Sequence, residues 1–314
     1  MARYLVTGGA GFIGSHTVDR LVAEKHQVRI LDDLSSGKLE NLKGVKDRVE
    51  FVKGDIRDRK IMRQAVQGIE RILHVAAWRS VPKSMADSYG YMDVNVMGTT
   101  NLLDEAVKAK VKRVVVVSSS SVYGEATKVP MSETDPTNPV SPYAASKLID
   151  EILCGLYTRA FGLETVAVRY FNVFGPRQSL ENDYAVVIPK FITSLLKKQS
   201  PPVYGDGKQS RDFTYVDNVA EATILASQVP GVGTGEVFNI ALGEENTLLD
   251  LLDQLNKIIG VDIKPDFKPK RAGDVYKTFA DSSKALRLLG WKGKVNFTEG
   301  LRRTVEWFRA NPPN

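Results

Sequence analysis

Tyr143 and Lys147 stand four residues apart in Ser141-Pro142-Tyr143-Ala144-Ala145-Ser146-Lys147. Ser141 is a good helix N-cap and Pro142 a good first helical residue, so the sequence predicts a helix with Tyr143 in its first turn. Residues four apart share one face of such a helix. A phenol ordinarily ionises near pH 10, so making it a base at neutral pH takes a shift of about 3 units, roughly 4 kcal/mol. An ammonium one turn away and the positive end of the helix both push in that direction. A second set of hydroxyls lies upstream, in Ser118-Ser119-Ser120-Ser121-Val122-Tyr123-Gly124. One of these serines can hydrogen-bond the substrate oxygen that loses its proton, and the spacing leaves open which one faces inward. Tyr-x-x-x-Lys is common on surface helices, so the pair gains meaning only from the elements around it.

The decisive element is the first 32 residues, which read as strand, glycine turn, helix, strand. The apolar run Arg3-Tyr4-Leu5-Val6 leads into Thr7-Gly8-Gly9-Ala10-Gly11-Phe12-Ile13-Gly14, and a helical pattern follows in Val18, Leu21 and Val22. A second apolar run, Val28 to Leu31, ends on Asp32. Such a turn lets backbone approach a pyrophosphate, the next helix offers its free N–H groups, and the carboxylate suits adenosine ribose hydroxyls. This predicts a bound dinucleotide. Asp32, backed by Asp33, repels a ribose 2′-phosphate, so the expected cofactor is NAD and not NADP. Arg29 and Lys38 are the nearby cations that could weaken that preference.

The stretches Phe51-Val52, Arg71 to Val75 and Arg113 to Val117 are strand-like, with helical segments between them. The β-branched run Val114 to Val117 is the mark of a parallel strand buried on both faces, and its end at the serines must open into a ligand crevice. The fold class is therefore α/β, a Rossmann-type doubly wound parallel sheet. After Phe174 the chain turns richer in Pro, Gly and Asp. Phe213 to Val216 and Val237 to Ile240 look like strands, and Thr247 to Ile259 looks like a helix. We read a dinucleotide domain over 1–170, completed by about 212–238, with a smaller interleaved substrate lobe from 171–211 and 239–314.

At 314 residues the chain can bury a full core, and 43% hydrophobic with 25% charged residues is ordinary for a globular protein. The net charge of +6 fits an anionic ligand. The basic residues form no stripe interleaved with aromatics, which argues against nucleic acid as a partner. The single cysteine, Cys154, excludes an internal disulfide, falls on an apolar helical face and suits a reducing cytoplasm. The first strand starts at residue 3 and no apolar run would span a bilayer, so neither a signal peptide nor a membrane segment is expected. No metal site is expected.

Together, Thr7 to Gly14, the serine run with Val122-Tyr123-Gly124, Tyr143 with Lys147, and Arg169-Tyr170-Phe171-Asn172-Val173-Phe174-Gly175 resemble the extended short-chain dehydrogenase/reductase family. Within it the chain is similar to the nucleotide-sugar 4-epimerases, over nearly its whole length. The resemblance implies a catalytic set of Ser119 (four before Tyr123), Tyr143 and Lys147. For NAD it implies Gly8, Gly11, Phe12, Ile13 and Gly14 in the turn, and Asp32, Asp33, Ser35, Ser36 and Gly37 after the second strand. Asp55 and Ile56 map to adenine contacts, and Arg79, Asn95 and Lys147 to nicotinamide contacts, joined by Ala76, Ala77, Ser118, Tyr143, Tyr170, Asn172 and Val173. On the substrate side, Asn172 and Arg211 correspond to diphosphate ligands, and Arg271 and Asp274 to the pair gripping phosphate and uridine ribose. Ser80, Ser119, Ser120, Tyr143, Val187, Lys190 and Tyr204 are the other implied substrate residues. Forked guanidiniums suit diphosphate oxygens and a carboxylate suits ribose hydroxyls.

The implied activity is C4 epimerisation of a UDP-hexose through a transient 4-keto sugar. Dehydratases of the family carry acids beside the catalytic hydroxyl, where this chain has Ser120 and Ser121. A UDP-glucuronate 4-epimerase needs the same Ser/Tyr/Lys set and stays open. A non-catalytic NAD-sensing protein on this fold would commonly have lost the tyrosine. In the resembling epimerases the residue four after the aspartate of Arg-x-Gly-Asp lines the pocket beside the sugar 2-position. Here it is Thr278, small enough to imply that UDP-N-acetylglucosamine is accepted along with UDP-glucose. Tyr184 to Lys190 likewise resembles the N-acetyl-processing group. A homodimer is expected, built on Leu102, Leu103, Ala106 and Val107 of one helix and Leu148, Ile149, Ile152 and Leu156 of another, as the family does.

Overall fold

The computed structural model describes residues 1–125, 128–180, 187–270 and 276–312. Its centre is a seven-stranded parallel sheet: β1 (Arg3–Thr7), β2 (Gln27–Asp32), β3 (Val49–Lys53), β4 (Arg71–His74), β5 (Arg113–Ser119), β6 (Glu164–Tyr170) and β7 (Thr234–Ile240). The spatial order is β3-β2-β1-β4-β5-β6-β7. The order reverses between β1 and β4, and a crevice opens there at the carboxyl ends of the strands.

Strand residues alternate between two cores, as a period of two requires. Tyr4, Val6, Ile30, Leu73 and Val115 enter one apolar cluster, whereas Leu5, Leu31, Ile72, Val114 and Val116 enter the other. The first cluster is covered by helices Phe12–Ala23 and Val216–Gln228, the second by Gly98–Lys108 and Pro142–Phe161. Cys154 lies buried in the second.

The Pro142–Phe161 helix starts as its sequence requires, with the Ser141 hydroxyl accepting from the Ala144 amide at 3.2 Å. Thr247 caps the Leu248–Ile259 helix in a reciprocal box with Asp250. The expected strand over Phe213 to Val216 shrinks to Thr214–Tyr215, because Val216 already begins the next helix. The later chain forms small sheets: Ser210–Arg211 lies between Asn246–Thr247 and Lys277–Thr278, and Pro202–Tyr204 pairs with Asp266–Lys268.

The expected dimer helices need one correction. Leu102, Leu103 and Ala106 are fully buried inside the subunit, so they offer nothing to a partner. Ile152 and Leu156 remain outward at 59% and 44% exposure, and Met97, at the head of the Gly98–Lys108 helix, is exposed as well.

His74, at the end of β4, is buried and shares hydrogen bonds with Thr7 Oγ1 at 2.7 Å and Thr99 Oγ1 at 3.0 Å. Burial, then the Lys147 charge, push its pKa down to about 3. The unfolded imidazole takes a proton near pH 6.5, well before the folded one, so acid favours unfolding between those values. This one group should cost on the order of 3 kcal/mol by pH 4.5. Thermal melts should show wild type losing more stability from pH 7 to 4.5 than His74→Gln. Parallel losses would contradict this.

Candidate functional site

A cleft of about 570 Å³ runs along the carboxyl ends of β1, β2 and β4. Among its walls are Gly8, Gly11, Phe12, Ile13 and Gly14 of the turn, Asp32, Asp33, Ser35 and Ser36 after β2, Asp55 and Ile56 after β3, and Ala76, Ala77 and Arg79 after β4. The turn leaves no room for side chains. Gly8 has a φ of +69°, and a Cβ on Gly14 would lie 2.0 Å from the Gly8 carbonyl oxygen. That packing sets the start of the Phe12–Ala23 helix against the end of β1, so its free amides face the cleft.

Asp32 is fixed in place by its own neighbours. One carboxylate oxygen accepts from the Ala10 amide and the other from the Leu34 amide, each at 2.9 Å. Burial raises its pKa against the pull of those amides. Each oxygen keeps a lone pair for a ribose hydroxyl. A Cβ on Gly37 would sit 2.8 Å from Asp32 Oδ1, so the glycine leaves that carboxylate accessible. Asp55 is clamped by Arg57 at 2.6 Å, and Arg57 also pairs with Asp93. Arg29 is committed elsewhere, donating to the Ala65 and Gln67 carbonyls and pairing with Glu50. Of the two suspected cations only Lys38 lines the cleft. Glycine cradle, helix end and poised carboxylate together fit a dinucleotide.

Several wall residues were not foreseen. Trp78 and Asn41 lie close in sequence to expected positions. Arg177 to Leu180, and Trp307, Phe308, Asn311 and Pro312 of the C-terminal segment, also line the cleft. Nothing local in the sequence marks that last group, which reaches the turn only through tertiary packing.

Three expected cofactor residues turn their side chains away. The Ser118 hydroxyl donates to Glu151 Oε1 at 2.5 Å, and Glu151 is held by Arg169. Tyr170 shares a hydrogen bond with Thr223 under the Val216–Gln228 helix. Asn95 is buried, grips the Trp78 backbone at both ends and donates to Ser146 Oγ at 2.9 Å. Asn95 thus ties the cleft wall to the tyrosine helix, in a π-helical turn, Met92–Met97. Val173 pairs with Thr214 and does not line the cleft.

On β5 the strand alternation sets Ser118 apart from the serines that follow it. Ser118 is taken by Glu151, and Ser119, the next residue, is half-buried. Ser119 caps the turn Ser120–Tyr123, and its Oγ accepts from the Ser121 amide and hydroxyl. Tyr143 lies in the first turn of its helix, edge-on to Tyr91 with ring centres 6.4 Å apart, and within electrostatic reach of Arg79. Lys147 is buried, with Nζ 3.0 Å from Asp150 Oδ2. Ser80 caps the Val81–Ala86 helix.

In the later lobe Asn172, at a φ of +36°, donates from Nδ2 to Thr278 Oγ1 at 3.2 Å. Thr278 is in register with Arg211 on the neighbouring strand. The diphosphate and sugar determinants implied by the resemblance therefore sit together. Asp212, beside Arg211, is a hub that sequence reading passed over. It accepts from the Leu242, Gly243 and Ala280 amides, and burial pushes its carboxyl up to about 7. Tyr204 ends one small strand, and Val187 and Lys190 lie on the Val187–Leu196 helix. Arg271, Asp274 and the span 184–186 lie outside the described residues. Among the described residues no cluster of His, Cys, Asp and Glu could hold a metal, and no helix is long and apolar enough to cross a membrane.

With sheet order, glycine cradle and Tyr/Lys pair in place, the chain belongs to the GDP-mannose 4,6-dehydratase family of extended short-chain dehydrogenases/reductases, whose model matches residues 5–304. Its kin within that family are sugar-nucleotide enzymes. It is 40% identical over 309 residues to a putative UDP-glucose 4-epimerase from Methanocaldococcus jannaschii, covering 98% of each chain. Among solved structures it is similar to the UDP-N-acetylglucosamine 4-epimerase of Methanobrevibacter ruminantium in complex with UDP-N-acetylmuramic acid, with a TM-score of 0.94 and 39% identity over 99% of both chains. It is also similar to a dTDP-glucose 4,6-dehydratase from Streptomyces venezuelae with NAD bound, with a TM-score of 0.90 and 38% identity over 98% of this chain and 97% of that one.

Proposed function

We propose that this chain is a UDP-hexose 4-epimerase, an isomerase that works through NAD. The observation that carries the choice of reaction is the surroundings of Ser119. Ser120 and Ser121 stand where dehydratases of this family carry acids, and the Ser121 hydroxyl donates to Ser119. Neither serine can abstract a C5 proton or protonate a leaving hydroxyl.

In this reading the Tyr143 phenolate takes the proton of the sugar 4-hydroxyl, and Ser119 hydrogen-bonds that oxygen. NAD, held by the glycine cradle and Asp32, supplies the acceptor and donor of the C4 hydride. Asn172 and Arg211 hold the diphosphate while the 4-keto sugar turns to present its other face. Lys147 keeps positive charge beneath the phenol. Thr278 makes UDP-N-acetylglucosamine a substrate along with UDP-glucose. The dinucleotide domain comprises residues 1–170 with about 212–238, and the remainder forms the substrate lobe. The free, buried Cys154 suits a reducing cytoplasm.

The test is incubation with UDP-glucose and with UDP-N-acetylglucosamine, followed by NMR of the sugar C4 configuration. The C4 epimer of at least one is expected. A 4-keto-6-deoxy product would make the chain a dehydratase, and turnover of UDP-glucuronate alone would make it a uronate epimerase.

We also propose a homodimer seated on the outward face of the Pro142–Phe161 helix, where Ile149, Ile152 and Leu156 follow helical spacing. Sedimentation at micromolar concentration should give twice the 34.7 kDa chain mass, and Ile152→Lys should shift it to monomer. A wild-type monomer would remove the proposal.

A further inference from the structure

The inward stripe of the tyrosine helix holds more charge than the reaction needs. Ser146, Lys147, Asp150, Glu151 and Cys154 are all buried there, at the spacing of one helix face. Glu151 has evident partners in Arg169 and Ser118. Asp150 is different. It is fully buried, one oxygen meets the Lys147 ammonium at 3.0 Å, the Thr99 hydroxyl also supports the carboxylate, and Oδ1 has no close hydrogen-bond partner. A buried carboxylate with so few donors is retained at a cost, and its one charged partner is the lysine one helical turn from Tyr143.

We propose that Asp150 is a positioning residue for proton transfer: it anchors the Lys147 ammonium and tempers the pull of that charge on the Tyr143 phenol. The inference rests on the catalytic reading of Tyr143 given above. The carboxylate lies seven residues along the helix from the tyrosine, about 10 Å. At that distance, with an effective dielectric constant near 20, one charge moves a phenol midpoint by about one pH unit.

Other groups around the stripe do not duplicate this role. His74, from β4, is held neutral by burial. From the Met92–Met97 turn, Asp93 pairs with Arg57. From the Gly98–Lys108 helix, Asp104 is taken by Arg59 and Tyr157, and Glu105 by Arg63 and Lys108. Arg169 of β6 belongs to Glu151, and Glu236 of β7 to the turn at residues 233–234. Lys83 of the Val81–Ala86 helix is exposed. Arg79 and Tyr91 face Tyr143 itself.

The experiment is Asp150→Asn, with Asp150→Ser as the smaller alternative. The Tyr143 phenolate is titrated by ultraviolet difference absorbance against Tyr143→Phe in the same background, with and without NAD, and turnover is followed against pH. Loss of the carboxylate should lower the phenol midpoint by about one unit, giving about tenfold more phenolate below it, and should move the acid limb of turnover the same way. The absorbance reads the phenol directly, so a failed anchor is distinguishable from a failed assignment of the reaction. A midpoint that stays or rises in whichever variant folds overturns the proposal. So does failure of both variants to fold, which would make Asp150 a residue of the core alone.

Discussion

Tyr143→Phe should lower kcat by about 10³-fold while changing nucleotide-sugar affinity only a few-fold, because it deletes one hydroxyl and keeps the ring. In the proposed reaction that hydroxyl takes and returns the proton of the sugar 4-hydroxyl. Tyr143 lies in the first turn of a 20-residue helix whose N-terminal amides are capped by Ser141. Lys147 sits buried one turn further on, and Arg79 is within electrostatic reach. Phenylalanine preserves the edge contact with Tyr91 and hence the packing. Steady-state kinetics on UDP-glucose, with calorimetric binding of UDP, separates the two effects, and a variant epimerising at near the wild-type rate would remove Tyr143 from the mechanism. Lys147→Ala is the poorer probe. It leaves the Asp150 carboxylate buried without its ion-pair partner, so lost activity would be mixed with lost stability.

What the sequence made legible was whatever local spacing dictates. A glycine turn between two apolar runs, a Ser-Pro helix start and a β-branched tetrad each have one dominant structural outcome, and all three formed. The side a residue faces was less legible, since it depends on partners distant in sequence. Ser118 and Ser119 are adjacent and chemically identical. Only the arrival of Glu151, on a helix packed over β5, consigns the first to the interior. Arg29 looked like a possible 2′-phosphate ligand until the Ala65 and Gln67 carbonyls claimed its guanidinium. Leu102, Leu103 and Ala106 had the periodicity of an interface, but the same periodicity serves a core, and the sheet took them. The Trp307 to Pro312 wall of the cofactor cleft had no local signal at all.

Thr278→Tyr should abolish turnover of UDP-N-acetylglucosamine, by at least about 100-fold in kcat/KM, and leave UDP-glucose within about tenfold of wild type. The position is held by backbone pairing: Lys277–Thr278 runs parallel to Ser210–Arg211, in register with Arg211. A larger side chain therefore cannot escape by sliding the strand without disturbing Arg211. In the proposed binding mode a phenol ring there occupies the space that an acetamido group needs, and a packed wall excludes added volume more sharply than it rewards contact. The substitution has a second effect that must be kept apart from the first. Thr278 Oγ1 accepts from Asn172, so losing it also loosens the residue assigned to the diphosphate. That loss should act on both substrates alike, and it accounts for the few-fold drop allowed for UDP-glucose. Thr278→Val isolates it, since valine keeps the shape and removes only the acceptor. The expected pattern is a uniform few-fold loss on both substrates for valine, and a selective loss on the acetylated one for tyrosine. Equal losses on both sugars in Thr278→Tyr would show that this residue supports Asn172 and does not gate the 2-position.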